Sequence, residues 1–429
     1  MKRVSTNREL VSIQRIRANL WGFVVECRGL KKQISGVRVK FVSGYTRMFR
    51  SLFSALLLMF LIATLIGIVW RAPLPHGLGS IDFRPYWSAA YLLAQGKDFC
   101  DLNQIDAVER ALTGWREDYP MQAWFFPTGH LILLPLTFLP FQQAVKVWLL
   151  IHIGILFVCS LLLWRNKYIY RWLPLLVTFS YSMTLVSLYF GQVNSLVLLG
   201  LALFLYLEER QKPFLAGLAL ILTTVKPHLV IFTLPMLLLD GFQQREWLRL
   251  SGFFLALLSS FLLLFFLYPD WLRSLVHLAF SGFNSLRLTP TLAGLLVVLG
   301  ETHLSRWLWL GGLGIFLALR LVLKSVDLRT FVDLTLLGGM VLSPLGWSYD
   351  QILLLIPVFR LMEWCIQKEL PSPFAGQMFL SLVVLNLLTC LQRIFIHNDV
   401  WFFWLPFALA FFYYLSWQRR ISSCEAHPY

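Results

Sequence analysis

The chain has 429 residues, 58% of them hydrophobic and only 14% charged, with a mean hydropathy of +0.68. That composition excludes a soluble domain of this length and predicts an all-α, multi-pass membrane protein. The formal charge of +15 is uneven, because residues 1–50 hold twelve Lys or Arg against Glu9 and Glu26. No zinc-finger, RRM or helix-turn-helix pattern accompanies that basic stretch. It is read as a positive-inside signal close to anionic membrane lipids, with no nucleic-acid partner. Cys27, Cys100, Cys159, Cys365, Cys390 and Cys424 form no CxxC, and the histidines form no HExxH. Neither a disulfide framework nor a metal site is expected.

Residues 1–47 read as a basic cytoplasmic tail. Met48 opens MFRSLFSALLLMFLIATLIGIVW and offers a second candidate start of translation. Ser51–Trp70 is long enough to cross ~30 Å of hydrocarbon. With the tail inside, residues 71–127 form a large first extracytoplasmic loop, with five Lys or Arg against seven Asp or Glu. Within it lies SIDFRPYWSAAYLLAQG (80–96). Pro85 suits a first helical turn, Tyr86, Ala89, Ala90 and Leu93 share a face, and Gly96 is a stop. The pattern predicts an amphipathic helix lying on the membrane face, with Asp82 at its start. Asp106–Trp115 predicts a second short helix, and Tyr119–Pro127 a turn-rich return.

Beyond residue 127, apolar stretches recur to residue 417 and bring the expected total to ten to thirteen transmembrane helices within a domain spanning 48–420. Pro135, Pro227, Pro235, Pro344 and Pro357 are expected to break or kink them. Arg419 and Arg420 place the C-terminal tail, 421–429, on the cytoplasmic side and favour an even count. One conflict stands. If 128–139 crosses the membrane, Arg165, Lys167 and Arg171 fall outside, against the positive-inside rule.

Several polar groups stand out against this apolar background. Asp82, with Arg84, Tyr86 and Trp87 beside it, is either the cap of its helix or a general base, since an inverting sugar transfer needs a carboxylate next to the acceptor hydroxyl. Gln192 and Asn194, in FGQVN at a tight turn between spans, either hydrogen-bond a sugar or seal a helix end. Lys226, in KPH inside an apolar run, either meets a lipid phosphate or snorkels to the interface. Trp347, Tyr349 and Asp350 gather in SPLGWSYD at a membrane edge. The aromatic belt explains the two rings but not the acid. Arg287 is a further candidate phosphate contact.

In this order, DFRPYWSAAYLLAQGKDFCD (82–101), FFPTGHLILLPLTFLP (125–140), GQVNSLVLLGLALF (191–204), AGLALILTTVKPHLVIFTLP (216–235) and SPLGWSYDQ (343–351) resemble family 87 glycosyltransferases of the GT-C superfamily. Those are polyprenyl-phosphate-mannose-dependent α-mannosyltransferases and their bacterial relatives. The resemblance implies a GT-C-like bundle with its catalytic cavity on the outer face, and a lipid-phosphate sugar donor. It also implies that the acid opening the first outer loop, here Asp82, is the base. The family often has FxYPP where this chain has Phe125-Phe126-Pro127-Thr128. It often has SPxSWxHH where this chain has Trp347-Ser348-Tyr349-Asp350.

The expectation is therefore a plasma-membrane glycosyltransferase with its active site outside. It moves a hexose, mannose for example, from a polyprenyl-phosphate donor to a lipid or glycan acceptor. Asp82 serves as base, Lys226, Arg84 and Arg287 hold phosphate, and Trp87, Gln192, Asn194, Trp347, Tyr349 and Asp350 line the substrate site. No cofactor is called for, because cationic side chains balance a monophosphate leaving group. The alternative is a lipid-linked sugar flippase or a small-solute transporter.

Overall fold

The computed structural model describes residues 78–425 except 122, 124–125, 166–171, 284–287, 323–325, 368 and 397, and no side chains at 278–283 and 421–425. The basic tail, Met48, the Ser51–Trp70 span and Arg287 lie outside the described residues, as does the end of the C-terminal tail. Among the described residues every regular element is helical.

In chain order the helices are α1 (Phe83–Ala94), α2 (Leu102–Val108), α3 (Pro127–Leu133), α4 (Phe141–Leu163), α5 (Leu173–Ser180), α6 (Ser182–Phe190) and α7 (Asn194–Glu209). There follow α8 (Pro213–Ala219), α9 (Thr233–Gln243), α10 (Trp247–Leu267), α11 (Trp271–Phe283), α12 (Leu292–Val298) and α13 (Thr302–Val322). The last are α14 (Leu328–Leu342), α15 (Leu355–Ile366), α16 (Ser372–Phe395) and α17 (Trp404–Glu425).

Contacts sort these helices between two ends of one bundle. At the first end, Asp82 N–H donates to Phe190 O (2.9 Å) at the end of α6. Phe83 stacks on Phe141, with centroids 6.3 Å apart, at the start of α4. At the other end, Arg329 Nη2 donates to Leu163 O (3.2 Å) where α4 stops, and Arg165 pairs with Glu209 where α7 stops. Successive segments run between these two ends. α4 leaves the Asp82 end, α5 and α6 return to it, and α7 leaves again. The chain from Pro213 comes back to Lys226, and α9 departs to Asp240, which pairs with Arg249 and Arg320. Later, α14 climbs from Asp327 to Ser343, and the segment 348–366 descends to Glu363. α17 likewise descends, with Tyr413 Oη donating to Asp333 Oδ2 (2.8 Å) and Arg420 pairing with Glu369.

Five of the described helical segments are long and apolar enough to cross a bilayer alone: 141–163, 247–267, 302–322, 372–395 and 399–420. The bent pair α5–α6, 62° at Tyr181, makes a sixth if it is one span. The expected ten to thirteen spans included the other apolar stretches, which form single helices of 15 or 16 residues (194–209 and 328–342) or are broken into shorter pieces. Prolines account for some of the breaks. Pro227 has no N–H to give the helix and excludes the preceding residue from the α region. Lys226 accordingly sits at φ −127°, ψ 78°, between 3₁₀ turns at 220–225 and 227–230.

The stretch 128–139 does not cross. It forms α3 and a 3₁₀ turn, Leu134–Phe138, which holds Pro135. Both pieces stay at the Asp82 end, since Phe126 N–H donates to Val225 O (2.9 Å) and Trp87 Nε1 donates to Leu136 O (3.0 Å). α4 then starts at that end, and Arg165 falls at the opposite one. The premise of the conflict, that 128–139 crosses, therefore falls for Arg165; Lys167 and Arg171 lie outside the described residues.

α1 starts and stops close to the sequence expectation, with Gly96 at φ 66° supplying the turn. Its setting differs. Phe83 to Ala90 are all buried, packed on α3, α4 and the 134–138 turn, so α1 is clamped inside the protein and not laid on its surface. The second loop helix starts a turn early, at Leu102, where Asp101 caps Asn103 N–H (2.9 Å), and ends in a π turn, Glu109–Thr113.

Candidate active site

Asp82 is brought to the centre by one close approach of backbones. Gly79 N–H donates to Tyr189 O (2.8 Å), and Gly191 turns at φ 74°, in the left-handed region. A Cβ on Gly191 would lie 1.9 Å from Gly79 O. Only glycine allows both the turn and the contact. The turn stacks residues 79–82 on the α6–α7 corner, so Asp82 and Gln192 meet.

Asp82 does not cap α1. Its side chain makes no cap hydrogen bond, and its carboxylate accepts instead from Gln192 Nε2. Gln192 Oε1 accepts from Lys226 Nζ (2.7 Å) and from Tyr86 Oη (3.1 Å). Lys226 Nζ also lies 3.1 Å from Asp350 Oδ1. Asp350 Oδ2 accepts from Trp347 N–H (3.0 Å), as an acid at the third position of a helical turn reaches back to its start. Asn194 Nδ2 donates to Tyr349 O (2.7 Å) and to Asp350 Oδ1 (3.4 Å), and Ser187 Oγ donates to Asn194 Oδ1 (2.6 Å). Lys226, Gln192, Asn194 and Asp350 are all at most 1% exposed. Lys226 therefore does not snorkel. It is a buried ammonium facing a buried carboxylate, which is how a charge survives in an apolar interior.

Two aromatic rings border this cluster. Trp347 and Tyr349 stack nearly parallel, 10° apart with centroids at 6.1 Å, and Lys226 Nζ sits 5.9 Å and 5.1 Å from them. His228 meets Trp347 edge-on at 6.2 Å, and its Nε2 is buried without a hydrogen-bond partner.

Asp82 as a whole is partly accessible, yet burial of its carboxyl pushes the pKa up to about 6. The Lys226 charge and hydrogen bonds from Gln192 and Tyr349 pull it back, while the Asp350 charge adds to the rise. A carboxyl poised there is ionised at neutral pH and basic enough to take a proton.

Asp82, Gln192, Asn194, Lys226, Trp347, Tyr349 and Asp350 thus come together from four separate stretches. Arg84 and Trp87 do not join them. The Arg84 guanidinium, 1% exposed, lies over Trp115 (4.6 Å) and Phe141 (5.6 Å), with Glu109 as its main charged neighbour. Trp87 is spent on Leu136 O and on packing against Phe141. Tyr86 and His228, which the sequence offers only as neighbours of Asp82 and Lys226 with no role of their own, join the site. So does Ser187, for which the sequence gives no signal. Among the described residues no three His, Cys, Asp or Glu side chains gather where they could hold a metal ion.

A model of glycosyltransferase family 87 matches residues 125–346, slightly more than half of the chain. The match includes Gln192, Asn194 and Lys226, stops one residue before Trp347, and begins after Asp82. No curated protein and no solved structure matches the chain. With an all-α membrane bundle and a family match over half its length, the chain belongs to glycosyltransferase family 87 and is a membrane glycosyltransferase.

Proposed function

We propose that the protein moves a hexose, mannose for example, from a polyprenyl-phosphate donor to a lipid or glycan acceptor, with Asp82 as general base. The observation that carries this reading is the Asp82 carboxylate: it is held by Gln192 through Oδ2, poised near neutrality, and set at the edge of a buried polar cluster beside an aromatic pair. In the reaction the acceptor O–H gives its proton to Asp82 as its oxygen attacks the anomeric carbon. The bond from that carbon to the phosphate oxygen breaks, the configuration inverts, and polyprenyl phosphate leaves with the bonding pair.

The departing phosphate needs a cation. An ammonium has three N–H bonds. Two of those on Lys226 go to Gln192 and Asp350, and the third is what a phosphate oxygen would take. The Trp347–Tyr349 pair is the platform for the sugar ring. The donor's lipid tail lies in the membrane, and no metal is required for a monophosphate leaving group.

The site would face the extracytoplasmic side of the plasma membrane. That is the side the resemblance to the family implies for its catalytic cavity.

The test is transfer in detergent, where no compartment exists to transport across. Purified protein is given radiolabelled polyprenyl-phosphate-mannose and an extract of native lipids and glycans. Label entering a new product with wild type, and not with Asp82→Asn, is the expected result. Undiminished turnover by Asp82→Asn would remove Asp82 from the chemistry. Transfer from none of a series of lipid-linked hexoses would remove the donor class.

A further inference from the structure

The amide of Gln192 can face only one way. A lysine ammonium donates and never accepts, so the atom 2.7 Å from Lys226 Nζ is the carbonyl oxygen. Tyr86 Oη approaches that same oxygen at 3.1 Å. The Nε2 end must then point at Asp82 Oδ2. Lys226 is itself fixed by Asp350, and Asp350 by Trp347 N–H and Asn194. The chain of oriented groups leaves the Gln192 amide no alternative rotamer with its bonds satisfied. Oδ2 of Asp82 has one of its two lone pairs taken by the Gln192 N–H, so Oδ1 is the oxygen this bond leaves open to an incoming proton.

We propose that Gln192 is a positioning residue for the transfer. It turns Asp82 so that Oδ1 receives the acceptor's proton, and it favours the ionised carboxylate. This rests on Asp82 being the base, and it moves Gln192 from the sugar-lining role expected of it to a role behind the base. Both polar atoms of Gln192 are already engaged by protein groups and the residue is 0% exposed, so of its four hydrogen-bonding positions one buried N–H is left.

The groups that set the charge on Asp82 come from every element around it. They are Lys226 and the Gln192 and Tyr349 hydrogen bonds, which favour ionisation, Asp350, which opposes it, and Tyr86 and Arg84 on its own helix. Removing the Gln192 N–H leaves the others in place and makes the carboxylate harder to ionise. A base works only when ionised, so the acid limb of kcat/KM against pH moves upward.

The experiment compares this limb in wild type, Gln192→Leu and Gln192→Glu, all purified in detergent. Leu removes the amide and keeps the bulk. Glu keeps an acceptor for Lys226 and Tyr86, and so keeps the bonds that hold the fold, while it removes the donor and adds a like charge beside Asp82. The limb is expected to rise by about one pH unit with Leu, and further with Glu. Limbs that coincide with wild type, whatever the rate, overturn the proposal. Asp82→Asn is run alongside: if it turns over normally, the base itself is wrong. If it is inactive while the limbs stay still, only the role given to Gln192 falls.

Discussion

Substitution of Lys226 by Met tests whether the buried ion pair holds the site together. The Lys226–Asp350 separation is 3.1 Å, and both side chains are 1% exposed. At an effective dielectric near 20, the attraction is about 5 kcal/mol, most of it offset by the desolvation of both ions. Met keeps the stem against Trp347 and Tyr349 and removes only the charge. Asp350 would be left buried with Trp347 N–H and Asn194 but no cation. Stranding one ion of such a pair costs about 3–5 kcal/mol. The two remaining donors place this case at the lower end. The assay is the thermal midpoint in detergent at a fixed scan rate, for Lys226→Met, Asp350→Asn and the double variant. Lys226→Met should lower the midpoint by several degrees. The double should recover much of that loss, since the neutral amide that replaces the Asp350 carboxylate leaves no charge to strand. Two single losses that simply add would refute the argument, because independent sites add and a coupled pair does not.

Gly191→Ala should disable transfer while the protein still inserts. The added Cβ would meet Gly79 O at 1.9 Å, backbone against backbone, and the left-handed turn costs about 1–2 kcal/mol more for alanine. The expected readout is lost turnover with preserved monodisperse elution; normal turnover would show that Asp82 does not depend on this contact. Glu109 gives a pH-dependent prediction. Burial pushes its pKa up to about 7, with the Met121 N–H and Arg84 partly opposing the rise. The folded protein thus holds a proton on Glu109 that the unfolded chain releases near its ordinary value of 4.5, so its share of the stability falls as pH rises from about 4.5 to about 7 and is level above that. Glu109→Gln should therefore unfold at a higher temperature than wild type at pH above 7, with the gap closing as pH falls. A gap independent of pH would show that Glu109 does not titrate in this way.

Some of this organisation is legible in the residues themselves. Apolar runs of more than twenty residues have one stable answer in a bilayer, so the helical class follows from composition. α1 is legible because Pro85, the face made by Tyr86, Ala89, Ala90 and Leu93, and Gly96 all act within one or two turns. The polar residues worth asking about are legible too. A Lys, Gln, Asn or Asp inside an apolar stretch is costly unless it has a partner, and Gln192, Asn194, Lys226 and Asp350 each carry that signature.

What the residues do not carry is the identity of those partners. Asp82 meets Gln192, Gln192 meets Lys226 and Lys226 meets Asp350 across separations of 110, 34 and 124 positions. No local period encodes such distances. For the same reason Arg84 and Trp87, two and five residues from Asp82, read as parts of one site in the sequence. The 100° step of the helix instead sends them to Trp115 and to Leu136. Apolar content alone also cannot separate a crossing from a re-entrant stretch such as 127–138. That choice is made where Phe126 and Trp87 find backbone partners at the Asp82 end, because a buried N–H that pairs there holds its segment there.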